Sequence, residues 1–454
     1  MSSGNRRGAG ADAYTGRAAA GHAPTGRTSA GRFDFLIVGG GVVGAVMAGL
    51  LLARKLAAPG RVAVIDEAAP PAASVQAAPS VESDWDLRVF ALSRASQQVL
   101  DICGAWAGLR AQKRCAYERM CVWDAKGTLT FDCAALGEPN LGFIVEGRAL
   151  QTECRRAAAA AGAVFMEAAL HEVVLTDTLV RVRLDDGREL QSHLLIGADG
   201  SNSTTRRLLG IETAGHAYHQ DALVAHMRTA KPHRNTAWQR FLPAGPLAFL
   251  PLADGRSSIV WSTTRAEAGR LRALDAAAFG DEVTKASEGA LGVCELTTAV
   301  ASFPLKLQYA LDYVRPRAVL VGDAAHTVHP LAGQGLNLGL MDCACLADVL
   351  GGDDGAGGMG AAKVRSATAG YSGEHRLLRR YERWRRSENL LAATAMDGLE
   401  RLFASTHPLM GQLRSAGMNA VGKMPVVKRQ LIERAMGLRG DVPEFLFAKG
   451  EQPR

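Results

Sequence analysis

Short apolar runs near the start of the chain predict buried strands. Residues 33–38 (FDFLIV) and 61–66 (RVAVID) each have strand length and contain β-branched residues. Between them, a glycine-rich turn at residues 39–44 (GGGVVG) opens an apolar segment that should be helical to about Leu56. This order of strand, glycine turn, helix and strand predicts a βα unit with two parallel, buried strands.

Alternating patterns in the middle of the chain predict further strands. The segment VRVRL at residues 180–184 alternates apolar and charged side chains, and Asp186-Gly187 can supply a tight turn. Residues 173–197 therefore predict a β-hairpin that leads into a buried strand at 194–196. Residues 247–251 and 257–262 also have strand character, and we assign them to a second structural unit.

Helical spacing returns near the end of the chain, at residues 375–403. The predicted apolar stripe consists of Leu377, Tyr381, Trp384, Leu391, Ala395, Leu399 and Leu402. The opposite face carries Arg379, Arg380, Arg383, Arg386 and Glu400. This pattern favours a long helix packed on the core with a solvated basic face, and a helix on a membrane surface is the alternative. The preceding residues 351–370 are of low complexity and predict a flexible insertion.

Composition places the chain among ordinary globular proteins. Its 454 residues are 48% hydrophobic and 21% charged, which is enough for about two structural units. The eight cysteines show no CxxC pair and no metal-ligand spacing, so we expect free thiols in a reducing compartment, the cytoplasm.

The net charge of +7 is concentrated in a tail at residues 1–32, which holds five arginines against Asp12. The tail is rich in Gly, Ala and Ser without apolar periodicity, so we expect it to be disordered. Arg6-Arg7 is not followed by the apolar stretch that a twin-arginine signal needs. No basic face with interleaved aromatic residues is visible, which argues against nucleic-acid binding.

One segment has the length of a membrane span. Residues 35–53 carry no charge over 19 positions, and about this many apolar residues cross a bilayer. The glycine spacing and the strand-then-helix pattern favour the buried βα unit instead.

The glycine turn has the spacing of a dinucleotide-binding fingerprint. Gly39 permits the tight turn, Gly41 lets a pyrophosphate approach the backbone, and Gly44 allows close packing of helix and strand. The helix N-terminus offers N–H groups to the phosphates. Asp66 ends the second strand, where a carboxylate accepts hydrogen bonds from a ribose. This motif alone does not separate NAD from FAD.

A second motif late in the chain points to FAD. Asp323 follows the apolar strand at 318–321 and can bind a hydroxyl chain such as ribitol. Residues 333–337 (GQGLN) then open a helix whose positive end would stabilise a reduced flavin. Asp323 with His326 and His329 could also be a metal cluster, but the glycine-rich helix start and the lack of a further ligand argue against one.

Five segments together resemble class A flavoprotein aromatic hydroxylases: GGGVVG, DLRVFALSRAS at 86–96, LGFIVEGRALQ at 141–151, GADGSNSTTR at 197–206 and GDAAHTVHPLAGQGLNLG at 322–339. YERWRRSEN at 381–389 and RAMGLRGDVP at 434–443 resemble the tail of the ubiquinone-biosynthesis hydroxylases of the UbiH/UbiF/VisC type. The resemblance covers about residues 33–350 and 371–445.

The resemblance implies an α/β fold similar to that of para-hydroxybenzoate hydroxylase. A Rossmann-like FAD-binding domain (residues 33–110, 141–210 and 301–350) is interleaved with a β-sheet substrate domain (residues 111–140 and 211–300). Residues 371–454 form a C-terminal helical region.

The resemblance also implies the cofactor contacts, residue by residue. They are Gly39, Gly41, Gly44 and Asp66 at the ADP half of FAD; Arg88 and Arg148 along the pyrophosphate and ribitol; Asp199 and Gly200, with Ser203 and Arg206, for FAD and NAD(P)H; Asp323 at the ribitol; and Pro330, Gly333, Gln334, Gly335 and Asn337 along the flavin ring. No catalytic side chain is identified beyond the ring-lining candidates Pro330, Gly333 and Gln334.

The implied activity is an FAD-dependent aromatic monooxygenase. NAD(P)H would reduce the flavin, O2 would add as a C4a-hydroperoxide, and one oxygen atom would pass to an electron-rich phenol. The chain has no second strand-linked GxGxxG, so NAD(P)H should bind transiently. The implied substrate is a polyprenylated phenol of ubiquinone biosynthesis, met at the inner-membrane surface or in a biosynthetic complex.

Three alternatives remain at this point. A soluble phenol of aromatic catabolism could be the substrate, and the chain could instead be a flavin-fold scaffold of a biosynthetic complex. A flavin halogenase would carry a GWxWxIP signature, which is absent from this sequence.

Overall fold

The computed structural model describes residues 15–17, 31–68, 85–124, 127–328, 334–352, 375–404, 424–438 and 440–446. Most of the predicted tail and of the insertion at 351–370 lies outside these residues. So do Pro330 and Gly333, two of the residues expected along the flavin ring.

A six-stranded sheet forms the centre of the FAD-binding unit. Its strands, in spatial order, are Val164–Glu167, Val62–Asp66, Phe35–Val38, Leu194–Gly197, Ala318–Leu320 and Val314–Arg315. The first five are parallel and the last pair is antiparallel. The predicted βα unit is confirmed, because the two strands around the glycine turn pair in parallel.

Helices cover this sheet and complete its core. They are α1 (Val42–Ala53), α2 (Arg94–Ile102), α3 (Gly147–Ala160), α4 (Thr204–Leu208) and α7 (Gln334–Gly351). Helix α1 packs against both α3 and α7. The central strand residues Leu36 and Ile37 are fully buried, and truncating such a side chain costs about 2–5 kcal/mol.

The apolar segment at 35–53 is a buried strand followed by a helix, as predicted. Helix α1 is buried along most of its length in the core of the FAD-binding unit. Among the described helices, none combines the length and the hydrophobicity that crossing a bilayer would require.

The predicted hairpin is confirmed and forms part of a five-stranded sheet. Its strands are Thr15–Arg17, Leu170–Leu175, Val180–Leu184, Glu189–Ser192 and Gly31–Arg32. Gly187 adopts a φ of 86° in the turn, a conformation that glycine tolerates. The two short outer strands correct the expectation of a disordered tail for these five residues. Amino-acid composition reflects side chains, so it does not predict segments that are ordered by backbone hydrogen bonds to the edge of a sheet.

A nine-stranded sheet forms the second unit. It contains Arg119–Trp123, Thr128–Asp132, Thr213–Thr229, Thr236–Leu242, Gly245–Pro251, Ser257–Thr264, Cys294–Leu296, Ala301–Ala310 and His326–Thr327. Helices α5 (Arg265–Arg272) and α6 (Ala276–Ala286) pack on one face. The strand Ala301–Ala310 pairs with Thr213–Thr229, so it lies with this sheet and not with the FAD-binding unit to which residues 301–350 were assigned.

A small sheet and the last helices complete the described structure. The strands Val89–Ser93, Gly142–Glu146 and Arg114–Tyr117 form a three-stranded sheet. Helices α8 (His375–Ala404) and α9 (Pro425–Ala435) follow near the C-terminus. Short 3-10 helices occur at Ala111–Lys113, Cys133–Leu136, Gly322–Ala324 and Glu444–Leu446.

Helix α8 is confirmed, but its predicted apolar stripe needs correction. Leu391 is about half exposed, whereas Leu378, which the stripe omitted, is fully buried. Arg385 and Asn389 are also buried. Hydrophobic periodicity missed these polar residues because they are buried through hydrogen bonds to a partner on another helix. The side chains of Ala395, Leu399 and Leu402 lie outside the described residues.

All eight cysteines are free thiols, as expected, and seven of them are buried. Burial raises the pKa of the Cys154 and Cys343 thiols well above the ordinary value. These residues therefore behave as small apolar side chains of the core.

Candidate cofactor and substrate site

A cavity of about 900 Å³ lies between the six-stranded and the nine-stranded sheet. Gly41, Gly200 and Asp323, which line it, each follow the carboxyl end of a different parallel strand. Ligands of open α/β sheets bind at this edge, where neighbouring strands end together. The cavity also extends over the face of the nine-stranded sheet, so one space joins a polar end to an apolar floor.

The polar end begins at the N-terminus of helix α1. The first intrahelical bond runs from the Ala45 N–H to the Gly41 carbonyl oxygen (3.0 Å), which leaves the preceding N–H groups of Val42 and Val43 without a helical partner. The N-cap has no side-chain hydrogen bond, and the first turn has no acidic residue. Gly41, Val42 and Val43 line the cavity, so this helix end can receive a pyrophosphate.

The three fingerprint glycines occupy different surroundings. A Cβ on Gly44 would overlap the Gly39 carbonyl oxygen, and a Cβ on Gly39 would overlap the Ala198 backbone. A Cβ on Gly41 would meet no atom within 4 Å. Gly39 and Gly44 are thus required by protein packing, whereas the space beside Gly41 is open for a ligand.

Asp66 lies at the end of its strand but does not line the cavity. Its carboxylate accepts hydrogen bonds from the Gly40 N–H and, at 2.8 Å, from the Ala68 N–H. The Arg155 guanidinium, which sequence reasoning missed, lies 3.4 Å from the same carboxylate. Three of about four acceptor positions are therefore taken, and one is left for a ribose hydroxyl.

Asp323 lies in the 3-10 turn after the strand Ala318–Leu320 and faces the cavity. Within the described part of the chain, no residue donates a hydrogen bond to its carboxylate. Burial raises the pKa of Asp323, while the positive charges of His326, Arg88 and Lys306 oppose that rise. A desolvated carboxylate with open acceptor positions suits the hydroxyl groups of a sugar alcohol chain.

Two arginines predicted by resemblance reach the cavity with little protein contact. The side chain of Arg148 is 76% exposed, and its guanidinium lies 4.0 Å from Asp86. Arg88 is exposed and stacks over the Phe90 ring at 5.0 Å. Both line the polar end, where a guanidinium can pair with phosphate oxygens.

Asp199 and Arg206 stabilise the segment GADGSNSTTR at residues 197–206. Asp199 accepts hydrogen bonds from the Ser203 hydroxyl and from the Thr205 N–H (2.8 Å), so its carboxylate fixes the start of helix α4. Arg206 donates to the Ala324 carbonyl oxygen at 2.8 Å and thereby ties this motif to the Asp323 turn. Gly200, and not Asp199, lines the cavity.

Helix α7 begins at Gln334, as the GQGLN motif predicted, and Gly335 lines the cavity. The side chain of Gln334 lies outside the described residues. Asn337 does not line the cavity. Its side-chain oxygen accepts from the Ser93 N–H (2.9 Å) and the Ser96 hydroxyl (2.7 Å), and its amide donates to the Ala91 carbonyl oxygen (2.8 Å). Asn337 therefore fixes the position of helix α7 against the small sheet.

A buried polar network behind the Asp323 turn was not predicted. Asp342 on α7 accepts hydrogen bonds from the Gly322 N–H (2.9 Å), the Arg385 Nε (2.7 Å) and the Asn389 Nδ2 (3.1 Å), and its Oδ2 lies 2.6 Å from the His326 Nε2. Burial alone would raise the pKa of Asp342, but His326 and Arg385 lower it to about 2. His326 is thus committed to Asp342. Among the described residues, no group of three His, Cys, Asp or Glu side chains suits a metal ion.

The residues at the polar end fit FAD. An uncapped helix N-terminus can hold the pyrophosphate, and exposed arginines lie nearby. The Asp323 carboxylate, which has no hydrogen-bond donor among the described residues, can accept from the ribitol. A second helix, α7, directs its N-terminus toward the same cavity.

Comparison with known proteins agrees with this geometry. Residues 154–355 match the family described as FAD binding domain. The 3-demethoxyubiquinol 3-hydroxylase of Escherichia coli (strain K12) is 34% identical over 411 residues, which cover 89% of this chain and 98% of that protein. The mitochondrial ubiquinone biosynthesis monooxygenase COQ6 of Homo sapiens is 32% identical over 453 residues, with 88% of this chain and 92% of that protein covered.

A solved structure with a similar fold is that of p-nitrophenol 4-monooxygenase PnpA from Pseudomonas putida DLL-E4. Its TM-score is 0.69 at 17% identity, over 89% of this chain and 98% of that chain. The predicted fold, an FAD-binding α/β domain with a β-sheet substrate domain and C-terminal helices, is confirmed. The protein is an FAD-dependent aromatic monooxygenase that uses NAD(P)H, and it belongs to the family of the ubiquinone-biosynthesis hydroxylases.

Proposed function

We propose that this protein hydroxylates the aromatic ring of a polyprenylated phenol, a precursor of ubiquinone. The observation that carries the proposal is the single cavity that joins the polar, cofactor-binding end to a broad apolar floor. A floor built from aliphatic and aromatic side chains suits a long prenyl chain better than a small, soluble phenol. The relatives named for ubiquinone hydroxylation support this substrate class.

We propose that the protein positions FAD through the residues of the polar end. The helix α1 N-terminus and Gly41 would hold the pyrophosphate, Arg88 and Arg148 would neutralise its charge, and Asp323 would bind the ribitol. Gly39, Gly44, Asp199 and Asn337 would act by fixing the backbone around the cofactor. Pro330, Gly333, Gln334 and Gly335 remain our candidates along the flavin ring, and Asp66 remains our candidate at the ribose.

Bound FAD supplies the redox chemistry, taking electrons from NAD(P)H and activating O2 for transfer of one oxygen atom to the ring. The chain's own contribution is to orient the substrate ring and to exclude water. The apolar floor closes the substrate end together with two cavity-facing residues, Ile432 of helix α9 and Met436, which directly follows that helix.

We further propose that the cavity mouth faces a membrane surface. Leu431 lines the cavity and is 45% exposed, so it marks the mouth. Val426 on the same helix, α9, and Met424 directly before that helix are more than half exposed, and Lys428 and Arg429 lie between Val426 and Leu431 in the sequence. Apolar side chains next to basic ones are typical of a surface that contacts anionic lipid.

The substrate proposal is tested by mass spectrometry of the quinone pool in a strain that lacks this protein. We expect a prenylated precursor that lacks one hydroxyl-derived oxygen to accumulate, and its structure identifies the ring position. An unchanged pool, with no redundant enzyme present, would contradict the proposal. It would favour a soluble phenol substrate or a flavin-fold scaffold.

The membrane proposal is tested by sedimentation with vesicles that contain anionic phospholipid. The double substitution Met424→Ser and Val426→Ser should release the protein from the vesicles. The matched control is Val293→Ser, because Val293 is 58% exposed on a different part of the surface. Equal loss of binding in both variants, or in neither, would contradict a membrane-facing helix α9.

A further inference from the structure

The nine-stranded sheet has two faces of different character. Side chains on one face pack under helices α5 and α6: Leu223, Ala225, Leu247, Phe249, Ile259 and Trp261. The intervening residues line the cavity, among them Ala222, Val224, Ala248, Leu250 and Val260. This alternation with a period of two makes the cavity floor almost entirely apolar.

Gln239 interrupts the apolar floor. Strand pairing places it opposite Ala248 on one side and Val122 on the other, and Ala248 in turn lies opposite Val260. Gln239 is only 6% exposed and lines the cavity. Its amide makes no hydrogen bond to any residue in the described part of the chain. Because the Gln239 amide faces the cavity and bonds to no described residue, its donors and its acceptor are open to a ligand.

Tyr117 is another polar side chain that lines the cavity. Its ring packs, as Leu250 does, against the cluster of Trp85, Ala91, Ile144 and Leu252. The phenol lines the cavity and has no hydrogen-bond partner among the described residues. Burial raises the pKa of Tyr117 to about 12, so the hydroxyl keeps its proton and can donate.

The polar groups on the floor are neutral, whereas the charged side chains of the cavity gather at the cofactor end. Those charged residues are Asp86, Arg88, Arg148, Lys306 and Asp323. A substrate carboxylate would require a cation at the floor, because an unpaired buried charge is costly. Neutral hydroxyl, methoxy or carbonyl oxygens on the ring match the amide and the phenol instead.

We propose that the Gln239 amide binds a neutral oxygen substituent of the aromatic ring and so determines which ring carbon faces the flavin. This inference rests on the proposed function, because it assumes a prenylated phenol in the cavity. It makes Gln239 a specificity residue for the reaction, while the apolar floor accepts the prenyl chain without orienting the ring.

The test compares wild-type holoenzyme with Gln239→Met, which keeps the side-chain volume and removes the amide. Binding of a short prenylphenol, and of the matching prenylbenzene without the hydroxyl, is followed through the absorption spectrum of bound FAD. We expect Gln239→Met to weaken prenylphenol binding by about ten-fold, as for one lost hydrogen bond, and to leave prenylbenzene binding unchanged. Hydrogen peroxide release per NAD(P)H should rise, and the hydroxylation position should become mixed.

A stability measurement separates recognition from a folding defect. The melting temperature of Gln239→Met should stay close to that of the wild type, because the substitution keeps the side-chain volume and breaks no hydrogen bond to a described residue. Gln239→Asn, which keeps an amide, should retain part of the discrimination. The control is Gln98→Met, since the amide oxygen of Gln98 is buried without a hydrogen-bond partner among the described residues and Gln98 does not line the cavity.

Two failures are distinguishable in this experiment. If the wild type binds and hydroxylates the prenylphenol and Gln239→Met does so equally well, with the same product, the role of Gln239 is overturned. Equal weakening for both ligands would overturn it as well, because the amide would then not discriminate the ring oxygen. If the wild type neither binds nor hydroxylates any prenylphenol, the proposed function fails and this inference falls with it.

Discussion

Asp342 and Arg385 form a fully buried ion pair between helices α7 and α8, with the Arg385 Nε 2.7 Å from the Asp342 Oδ1. Asp342 simultaneously accepts from the Gly322 N–H, the residue before Asp323. A single carboxylate therefore joins the C-terminal helices to the turn that presents the proposed ribitol ligand. Breaking this ion pair should therefore weaken cofactor binding even though neither residue is expected to contact the cofactor.

Asp342→Asn should destabilise the fold strongly, because Arg385 would keep its charge in a site without a counter-charge. Breaking a buried pair in this way costs about 3–5 kcal/mol. We expect a lower midpoint in urea unfolding and reduced FAD retention on dilution. Asp348→Asn on the same helix is the control, since Asp348 lies 3.7 Å from Arg54 at a partly exposed site, and such a pair contributes about 0–1 kcal/mol. Equal effects of the two substitutions would contradict the role of the pair.

Because of the Asp342 pair, the free energy of unfolding should also depend on pH in the acid range. The pKa of Asp342 is lowered in the folded state to about 2, from an ordinary value of 3.8. The contribution of ionised Asp342 to the free energy of unfolding is therefore complete above about pH 4 and is lost as the pH falls toward 2. The loss should be on the order of 2 kcal/mol. Urea unfolding between pH 6 and pH 3 measures the free energy of unfolding of wild type and of Asp342→Asn. The difference between the two proteins should decrease toward pH 3, and a difference that does not change with pH would contradict this pKa shift.

Asp323→Ala should weaken FAD binding while leaving the fold intact. The carboxylate has no hydrogen-bond donor among the described residues, so its removal breaks no such bond within the protein. Loss of one or two charged hydrogen bonds to ribitol should raise the FAD Kd by about 10–100-fold. Flavin content after purification and fluorescence titration measure this change. Asp177→Ala, at an exposed position outside the cavity, should retain full flavin. Full flavin content in Asp323→Ala would contradict the ribitol role.

Gly41→Ala and Gly44→Ala should separate cofactor binding from folding. A Cβ at position 41 meets open space, so the apoprotein should fold normally while the methyl group obstructs the pyrophosphate. A Cβ at position 44 overlaps the Gly39 carbonyl oxygen, so this variant should lose stability as well as FAD. Thermal unfolding of the apoproteins, with FAD titration, checks both statements. Normal FAD affinity in Gly41→Ala would argue against a phosphate site beside helix α1.

The local elements and the class of cofactor could be predicted from the amino-acid sequence alone. Residues 33–66 and the motif around Asp323 carry their information in short spacings, since strand, turn and helix signals act over a few residues. The hairpin turn at Asp186-Gly187 was predictable for the same reason, and the observed strands confirm it.

The contacts between polar residues that are distant in the sequence became visible only in the folded protein. Asp342, His326 and Arg385 span 59 positions of the chain, and no local sequence pattern indicates that they share one buried site. Asn337, expected along the flavin ring, instead bonds to the small sheet through residues more than 240 positions away. The sequence of the strand that contains Gln239 does not distinguish this residue. Its apolar surroundings are formed only when five neighbouring strands pair in register. Hydrogen bonding and burial of these residues depend on long-range contacts. The periodicity of a sequence indicates only the secondary structure that each segment favours locally.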